Sequence, residues 1–469
     1  MDRFTLSLRE TLTRLRTRVL RLGFAAALGC LLAFGQPISA ASASEQGELF
    51  LRFKSAFEAG DWASAEERAT ALVRLIESNG NDRSRELVNP LTNLGTVAYR
   101  QGKFDVAIEH YQRAIQLIDG DRAGADSLLI RPLHGLGESF LAQRKADDAV
   151  IPLKRAVDLS RNVDGLFNPA QVDIVDALIE AYVATGQLTE AEREHQYLFR
   201  VAESAAGKND LRLLEPLDRY ARWYESIGRY TTARGLHARA LQLAERQSAD
   251  KPIVGVPALR GLSRTWLLEG IYGPEVEPET SVREASEASG PFLSSAGAGR
   301  LNADGERALK FALNIISDSK PRDDRIYAET LVQFGDWYLI AGSTQRAQAS
   351  YLEAAKILSL TGTDAERLLD SPRLLVYRAP AASITRFKPD DPTQHALHDI
   401  EFALDIGPDG KVIDAKVVSS TAPEATTRAA LIAARKARYG PRVSGAEVVA
   451  TTGVPLREKV WVKAAQAKN

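Results

Sequence analysis

The chain has 469 residues, a formal net charge of −1, one cysteine (Cys30) and one methionine (Met1). A single cysteine excludes a disulfide framework, so stability has to come from packing. The near-neutral balance speaks against a nucleic-acid binder, which needs a basic face.

Residues 1–21 carry six arginines (Arg3, Arg9, Arg14, Arg16, Arg18, Arg21) against Asp2 and Glu10. An apolar run from Leu22 to Phe34 follows, and then the small-residue stretch Ala41-Ser42-Ala43. A basic region, a short apolar core and an A-x-A end describe a secretory signal peptide over residues 1–43. The apolar run of 13 residues is short against the roughly 20 that span a bilayer. The competing reading is an uncleaved anchor formed by residues 19–35. Ala27-Leu28-Gly29-Cys30 is a poor lipoprotein box, because apolar sequence continues past the cysteine. No later apolar run reaches 18 residues, so the expected product is an exported soluble chain, with the periplasm as its destination.

Beyond this segment, Gly60, Gly102, Gly186, Gly228 and Gly270 stand on one 42-residue grid that only Arg144 breaks. Five residues past the first five grid points stand Ala65, Ala107, Ala149, Ala191 and Ala233. A fixed period of this size marks a repeated supersecondary unit and favours binding over chemistry. In the second unit, Leu91, Leu94, Val97 and Ala98 recur at helical spacing, as do Phe104, Ala107, Ile108, Tyr111, Ala114 and Ile115. Gly102 separates the two runs, where a left-handed residue ends one helix and lets the next turn back. Gly95, Ala107 and Ala114 allow the two helices to approach closely. Pro90, Pro132 and Pro216 mark the starts of first helices.

This unit is similar to the tetratricopeptide repeat, whose Leu-Gly, Tyr, Gly, Phe, Ala, Tyr and Ala it carries in order. Leu136-Gly137, Phe140, Ala149 and Ala156 keep the register in the third unit, and Tyr182, Gly186, Leu188 and Ala191 in the fourth. The fifth has Tyr220, Tyr224, Gly228, Tyr230, Ala233 and Ala240; the first, with Phe53, Phe57 and Trp62, reads as a capping repeat. The 42-residue period, longer than the usual 34, resembles the repeats of kinesin light chains, as does Asn168-Pro169 before the fourth unit. That resemblance implies a peptide-binding groove.

Gly270 opens a sixth unit, followed by the irregular stretch 273–302 with Pro274, Pro278, Gly290, Pro291, Gly297 and Gly299. It reads as an insertion of about 30 residues, of disordered composition, before a second helix at about Asp304–Ser317. A seventh unit follows, with Phe334-Gly335, Tyr338, Gly342, Ala347, Tyr351 and Ala354.

From Pro372 the helical pattern stops. Leu374–Tyr377 is a short strand, and Ile400–Ile406 alternates with period two. Gly407-Pro408-Asp409-Gly410 turns into a second strand, Lys411–Val418. Thr426–Arg438 reads as a helix, with Val448–Ala450 and Arg457–Val462 as further strands. Asp409-Gly410-Lys411-Val412, Val417-Val418-Ser419-Ser420, the alanine-rich helix running into Tyr439-Gly440-Pro441, and the strand Glu458–Val462 resemble the C-terminal domain of TonB. The resemblance implies a small α+β domain over residues 372–469 that binds a partner by strand addition. It also implies partner-binding residues Lys459, Val460, Trp461 and Val462 in the closing strand. The fold class is therefore mainly α: a tetratricopeptide-type solenoid over 44–371, followed by this α+β domain.

Residues 372–469 hold 15 Lys/Arg and 10 Asp/Glu. With the first 43 residues at +4, the repeats are left strongly acidic, at −10. Arg435, Lys436, Arg438 and Arg442 gather at the end of the predicted helix, so Arg435 and Arg438 join the candidate partner surface beside the alternative of favourable helix C-terminal charges. His195 and His237 share one register position and read as packing residues. His395 and His398 form the one close pair, which cannot complete a zinc site. No H-E-x-x-H, G-x-S-x-G or P-loop occurs. No catalytic, cofactor-binding or metal-binding residue is assigned. The chain is read as a non-enzymatic, exported scaffold for protein or peptide partners of the cell envelope, without nucleic acid. The alternative is a TonB-type transport component held in the inner membrane by residues 19–35.

Overall fold

The computed structural model describes residues 40–78, 85–119, 126–273, 301, 303–361, 368–383 and 394–463. The expected signal peptide, apart from residues 40–43, and the expected insertion, apart from Gly273 and Leu301, lie outside them. Two compact units meet in sequence between Glu194 and His195, inside one helix, and each is taken by itself.

The first unit holds α1 (Ala40–Glu58), α2 (Trp62–Ser78), α3 (Val88–Arg100), α4 (Phe104–Asp119), α5 (Ile130–Ala142), α6 (Ala146–Asp164) and α7 (Val172–Ala184). It also holds the start of α8 (Leu188–Ala206). Each helix from α1 to α6 packs on the next. Between the helices of a pair stands a left-handed residue: Gly60 at φ 73°, Gly102 at 76° and Gly186 at 75°. Arg144, which breaks the sequence grid, takes the same conformation at φ 63°, the one non-glycine to do so among the described residues. The position, rather than the residue, demands the left-handed turn. There the next amide reaches back five residues, as Lys103 N does to the Ala98 carbonyl at 2.9 Å and Lys145 N to that of Phe140 at 2.9 Å.

Close approach explains the Leu-Gly signature. A Cβ on Gly95 would lie 2.7 Å from the Tyr111 ring, and one on Gly137 2.3 Å from Leu153. Ala65, Ala107, Ala149 and Ala191 are fully buried between paired helices. Burial pushes the Tyr111 phenol up to about 12.

The second unit continues with α9 (Leu214–Ser226), α10 (Tyr230–Gln247), α11 (Val256–Tyr272), α12 (Ala303–Asp318), α13 (Asp324–Ile340) and α14 (Thr344–Thr361). Gly228 and Gly342 repeat the left-handed turn at φ 81° and 80°. Gly270 does not. It lies inside α11, where a Cβ would stand 2.7 Å from Leu301, and the helix runs on to Tyr272 before Gly273 ends it at φ 100°. His195 and His237 are both buried, as packing residues at one register position.

Among the described residues seven strands and one helix follow: β1 (Arg373–Val376), β2 (His395–Ile406), β3 (Val412–Ser420), α15 (Glu424–Arg435), β4 (Arg438–Gly440), β5 (Arg442–Ser444), β6 (Glu447–Val449) and β7 (Thr451–Lys463). The main sheet is antiparallel in the order β3-β2-β7, while β1 pairs with β4 and β5 with β6. Phe402, Leu404, Leu456 and Val460 alternate onto one face and pack against Ala430 and Ala434 of α15. The predicted helix over Thr426–Arg438 is corrected to Glu424–Arg435. The Tyr439 amide donates to the Gly410 carbonyl at 2.9 Å, which draws Arg438–Gly440 into a strand.

Two contacts fix this region to the last helix pair. Arg373 of β1 donates to both Asp336 carboxylate oxygens of α13, at 3.0 and 2.7 Å, and Tyr351 of α14 donates to the same carboxylate at 2.7 Å. Gly410 sits at φ 71°, where a Cβ would lie 2.1 Å from the Tyr439 carbonyl oxygen and 2.8 Å from Leu339.

Candidate functional site

A sheet of three strands has two edges, and here they differ in kind. The β3 edge is broken twice: its register with β2 jumps between Glu401 and Phe402 and again between Asp405 and Ile406. The jumps leave Val418 and Ile413 as extra residues, 62% and 67% exposed. Bulges of this kind, with the exposed Lys416 between them, keep an edge from pairing with another strand.

The β7 edge is regular. Its pairing with β2 runs without interruption from His395 opposite Lys463 to Leu404 opposite Val454. Along such a ladder, alternate residues turn both backbone groups outward. The Trp461 amide donates away from β2, to the Ala382 carbonyl at 2.8 Å, so Lys459, Arg457 and Pro455 share that outward set. Pro455 has no amide hydrogen to lose at such a position. Arg457 and Lys459 keep their side chains over the sheet, paired with Glu401 at 3.0 Å and Asp399 at 3.4 Å.

Within the expected partner-binding residues, Val460 is fully buried in the core and Val462 packs against it, so their side chains face inward. Trp461 is half-buried, and its amide is already engaged. Arg435 is exposed in the last turn of α15, whereas Arg438 lies in β4 and Arg442 in β5. The expected cluster of four cations at one helix end is therefore corrected to Arg435 and Lys436 alone, because the chain leaves the helix before Arg438.

Sequence reasoning missed what sits on β7. The stretch Pro380–Ser383, past the short strand expected at Leu374–Tyr377, lies along it: Ser383 pairs with Val460 in an isolated antiparallel bridge. Below them is Glu458, 4% exposed. Its carboxylate accepts the Ser383 hydroxyl at 2.6 Å and the Tyr377 hydroxyl at 2.6 Å. Burial and the Glu458 charge push the Tyr377 phenol far up. Arg378 next to it donates to the Ile271 carbonyl at the end of α11. One signal was available: in Val454, Leu456, Glu458, Val460, Val462, the acid occupies an inward position.

A second polar core lies in the helices of the same unit. Glu225 of α9 accepts Arg264 of α11 at 2.6 and 3.1 Å and meets His237 of α10 at 3.0 Å. Burial would raise the Glu225 carboxyl, but Arg264 and His237 override it and hold it at about 2. These contacts join three helices. Among the described residues no group of three His, Cys, Asp or Glu could hold a metal ion.

Two family models match the chain. The tetratricopeptide repeat matches residues 54–120 and 91–162, and the Gram-negative bacterial TonB protein C-terminal domain matches residues 399–457. The chain carries tetratricopeptide repeats and a TonB C-terminal domain. The TonB match spans β2, β3, α15 and the first half of β7, and stops one residue before Glu458. No curated protein sequence gave a significant match. Among solved structures, the chain is similar to the nearly identical TPR-like repeats of a kinesin light chain from Podosopora anserina. That match has 16% identity over 45% of this chain and 100% of the other, with a TM-score of 0.39. It is also similar to a tetratricopeptide repeat protein from Parabacteroides merdae (17%, 69% and 96% covered, TM-score 0.36). A third is BtubC from P. vanneervenii (14%, 69% and 94% covered, TM-score 0.34). The assignment rests on the matched residues and the register, not on these likenesses.

Proposed function

We propose that this chain is an exported, periplasmic scaffold. The repeats over 44–371 hold a protein or peptide partner, and the TonB-type domain over 372–469 holds a second by strand addition. Residues 1–43 act as the signal peptide. The observation that carries the reading is the contrast between the sheet edges: β7 pairs with β2 without a register shift from Val454 to Lys463 and has outward backbone groups on Arg457 and Lys459, while β3 is twice bulged. The edge-facing set is Arg457, Lys459 and Trp461, with Arg435 at the rim; Val460 and Val462 shape the edge from within.

Proline at position 457 removes an outward amide without touching the ladder to β2. Capture of partners from envelope extract should be lost with Arg457→Pro and kept with Lys416→Pro on β3, both variants melting close to wild type. Equal capture by both would sink strand addition at β7. Mass spectrometry of the purified protein should find Ser44 as the first residue; an intact residue 1 sinks the export step as written.

A further inference from the structure

The β7 edge is not empty along its whole length. Where Val460 and Trp461 would receive a partner strand, Ala382 and Ser383 of the same chain already stand, making one bridge and one backbone hydrogen bond. Among the described residues the pairing covers Ala382 and Ser383. What keeps it in place is a side chain: Ser383 is fully buried, and its hydroxyl meets the Glu458 carboxylate at 2.6 Å. Tyr377 holds the other carboxylate oxygen at 2.6 Å from the start of the same strap. Among the described residues no cation is paired with Glu458, so its buried charge depends on these two hydroxyls.

We infer that residues 377–383 form an internal strap that occupies the partner's place on β7, with Glu458 selecting for a hydroxyl in whatever strand pairs there. The inference rests on the strand-addition reading above and deepens it. An incoming segment that displaced Ala382 and Ser383 would uncover a buried carboxylate. It would be accepted only if it brought its own donor to the same register, so the partner class is an extended segment of small residues carrying a serine or threonine opposite Val460. The strap also donates through Arg378 to the end of α11, where the irregular 273–302 stretch begins.

The test uses the full chain and a synthetic octapeptide with the strap's sequence, Arg378 to Thr385, beside its serine-to-alanine version. Ser383→Ala should speed hydrogen exchange at the Trp461 amide at least tenfold, and Ser383→Thr should restore protection. Glu458→Gln, which weakens the same contact from the other side, should also speed it. The serine peptide should bind the Ser383→Ala protein at least tenfold more tightly than wild type, and more tightly than the alanine peptide does. Unchanged exchange in both Ser383→Ala and Glu458→Gln overturns the strap. Equal binding of the two peptides overturns selection by Glu458. Faster exchange with neither peptide binding overturns strand addition at β7 and leaves the latch standing.

Discussion

The repeats and the region after residue 372 are stabilised on different principles. In the repeats each contact recurs: a left-handed turn at 60, 102, 144 and 186 in one unit and at 228 and 342 in the other, a buried alanine five residues on, a glycine under an aromatic or leucine. Such a stack depends on many similar terms, each modest. The C-terminal region depends on contacts that occur once: Arg373 with Asp336, Gly410 under Tyr439, Glu458 with its two hydroxyls. Redundant contacts announce themselves in sequence and tolerate loss. Single ones do neither.

The sharpest test of this difference is Gly410→Ala. The methyl would meet a backbone oxygen at 2.1 Å in a left-handed residue, so neither side can yield cheaply. Left-handed strain and overpacking together predict a loss of about 4 kcal/mol. It should appear as a large drop in the denaturant midpoint followed at the C-terminal region. Asp336→Ala should cost about 3 kcal/mol, because it strands the Arg373 guanidinium and the Tyr351 hydroxyl together. The value lies at the low end for a buried pair since the Arg373 side chain remains 24% exposed. Pairing it with Arg373→Met should recover most of the loss, which a general packing defect would not allow. If either variant melts like wild type, the C-terminal region does not depend on its single contacts.

What was legible follows the same division. Period gave the helix pairs, the turn positions and the packing roles of His195 and His237, since those features repeat and each repeat confirms the last. Asp126, Asn168 and Asp210 also lie 42 apart and cap their turns by accepting the Leu128, Ala170 and Arg212 amides at 2.9, 2.9 and 2.8 Å. Only Asn168 was noticed, because the neighbouring sequence hides the other two. Period two placed β2 and β3, yet the sequence reading started β7 six residues late, at Arg457, since Pro455 reads as a breaker. Gly270 misled for the opposite reason. It sits on the grid but serves close packing against Leu301 rather than a turn. Neither the Pro380–Ser383 strap nor the loss of Arg438 from the helix could be read, because both depend on partners far away in sequence.

Identical register does not mean identical chemistry, as His195 and His237 show. His195 lies 4.6 Å from Trp223 and 5.9 Å from Tyr220, and burial, with a smaller push from Arg219, lowers its imidazole to about 3. Its folded pKa is depressed below the unfolded value of 6.5, so the unfolded chain takes the proton first. Stability is fully present above pH 6.5 and is lost as pH falls toward 3, by on the order of 2 kcal/mol near pH 5. His195→Phe should flatten that slope between pH 6.5 and 4.5 in urea titrations. His237, at the same register position, has Glu225 as its partner at 3.0 Å, and its loss should lower stability by leaving that buried carboxylate short of a partner. An unchanged slope in His195→Phe would mean that burial of this imidazole does not set the pH dependence.

The smallest effect tests redundancy itself. Arg144 holds a left-handed turn at φ 63° that glycine holds at 60, 102 and 186 in the same unit. A non-glycine residue there costs about 1–2 kcal/mol of backbone strain. Replacing it adds unfolded-chain entropy of about 0.5–1 kcal/mol in the other direction. Arg144→Gly should therefore stabilise the first unit by roughly 0.5–1 kcal/mol, and Gly102→Arg should destabilise it by a similar amount. The pair should cancel when combined, because the two turns lie one full repeat apart and share no partner. Non-additive midpoints would show that neighbouring turns are coupled, and the view of the repeats as a sum of equal small terms would fail at its simplest point.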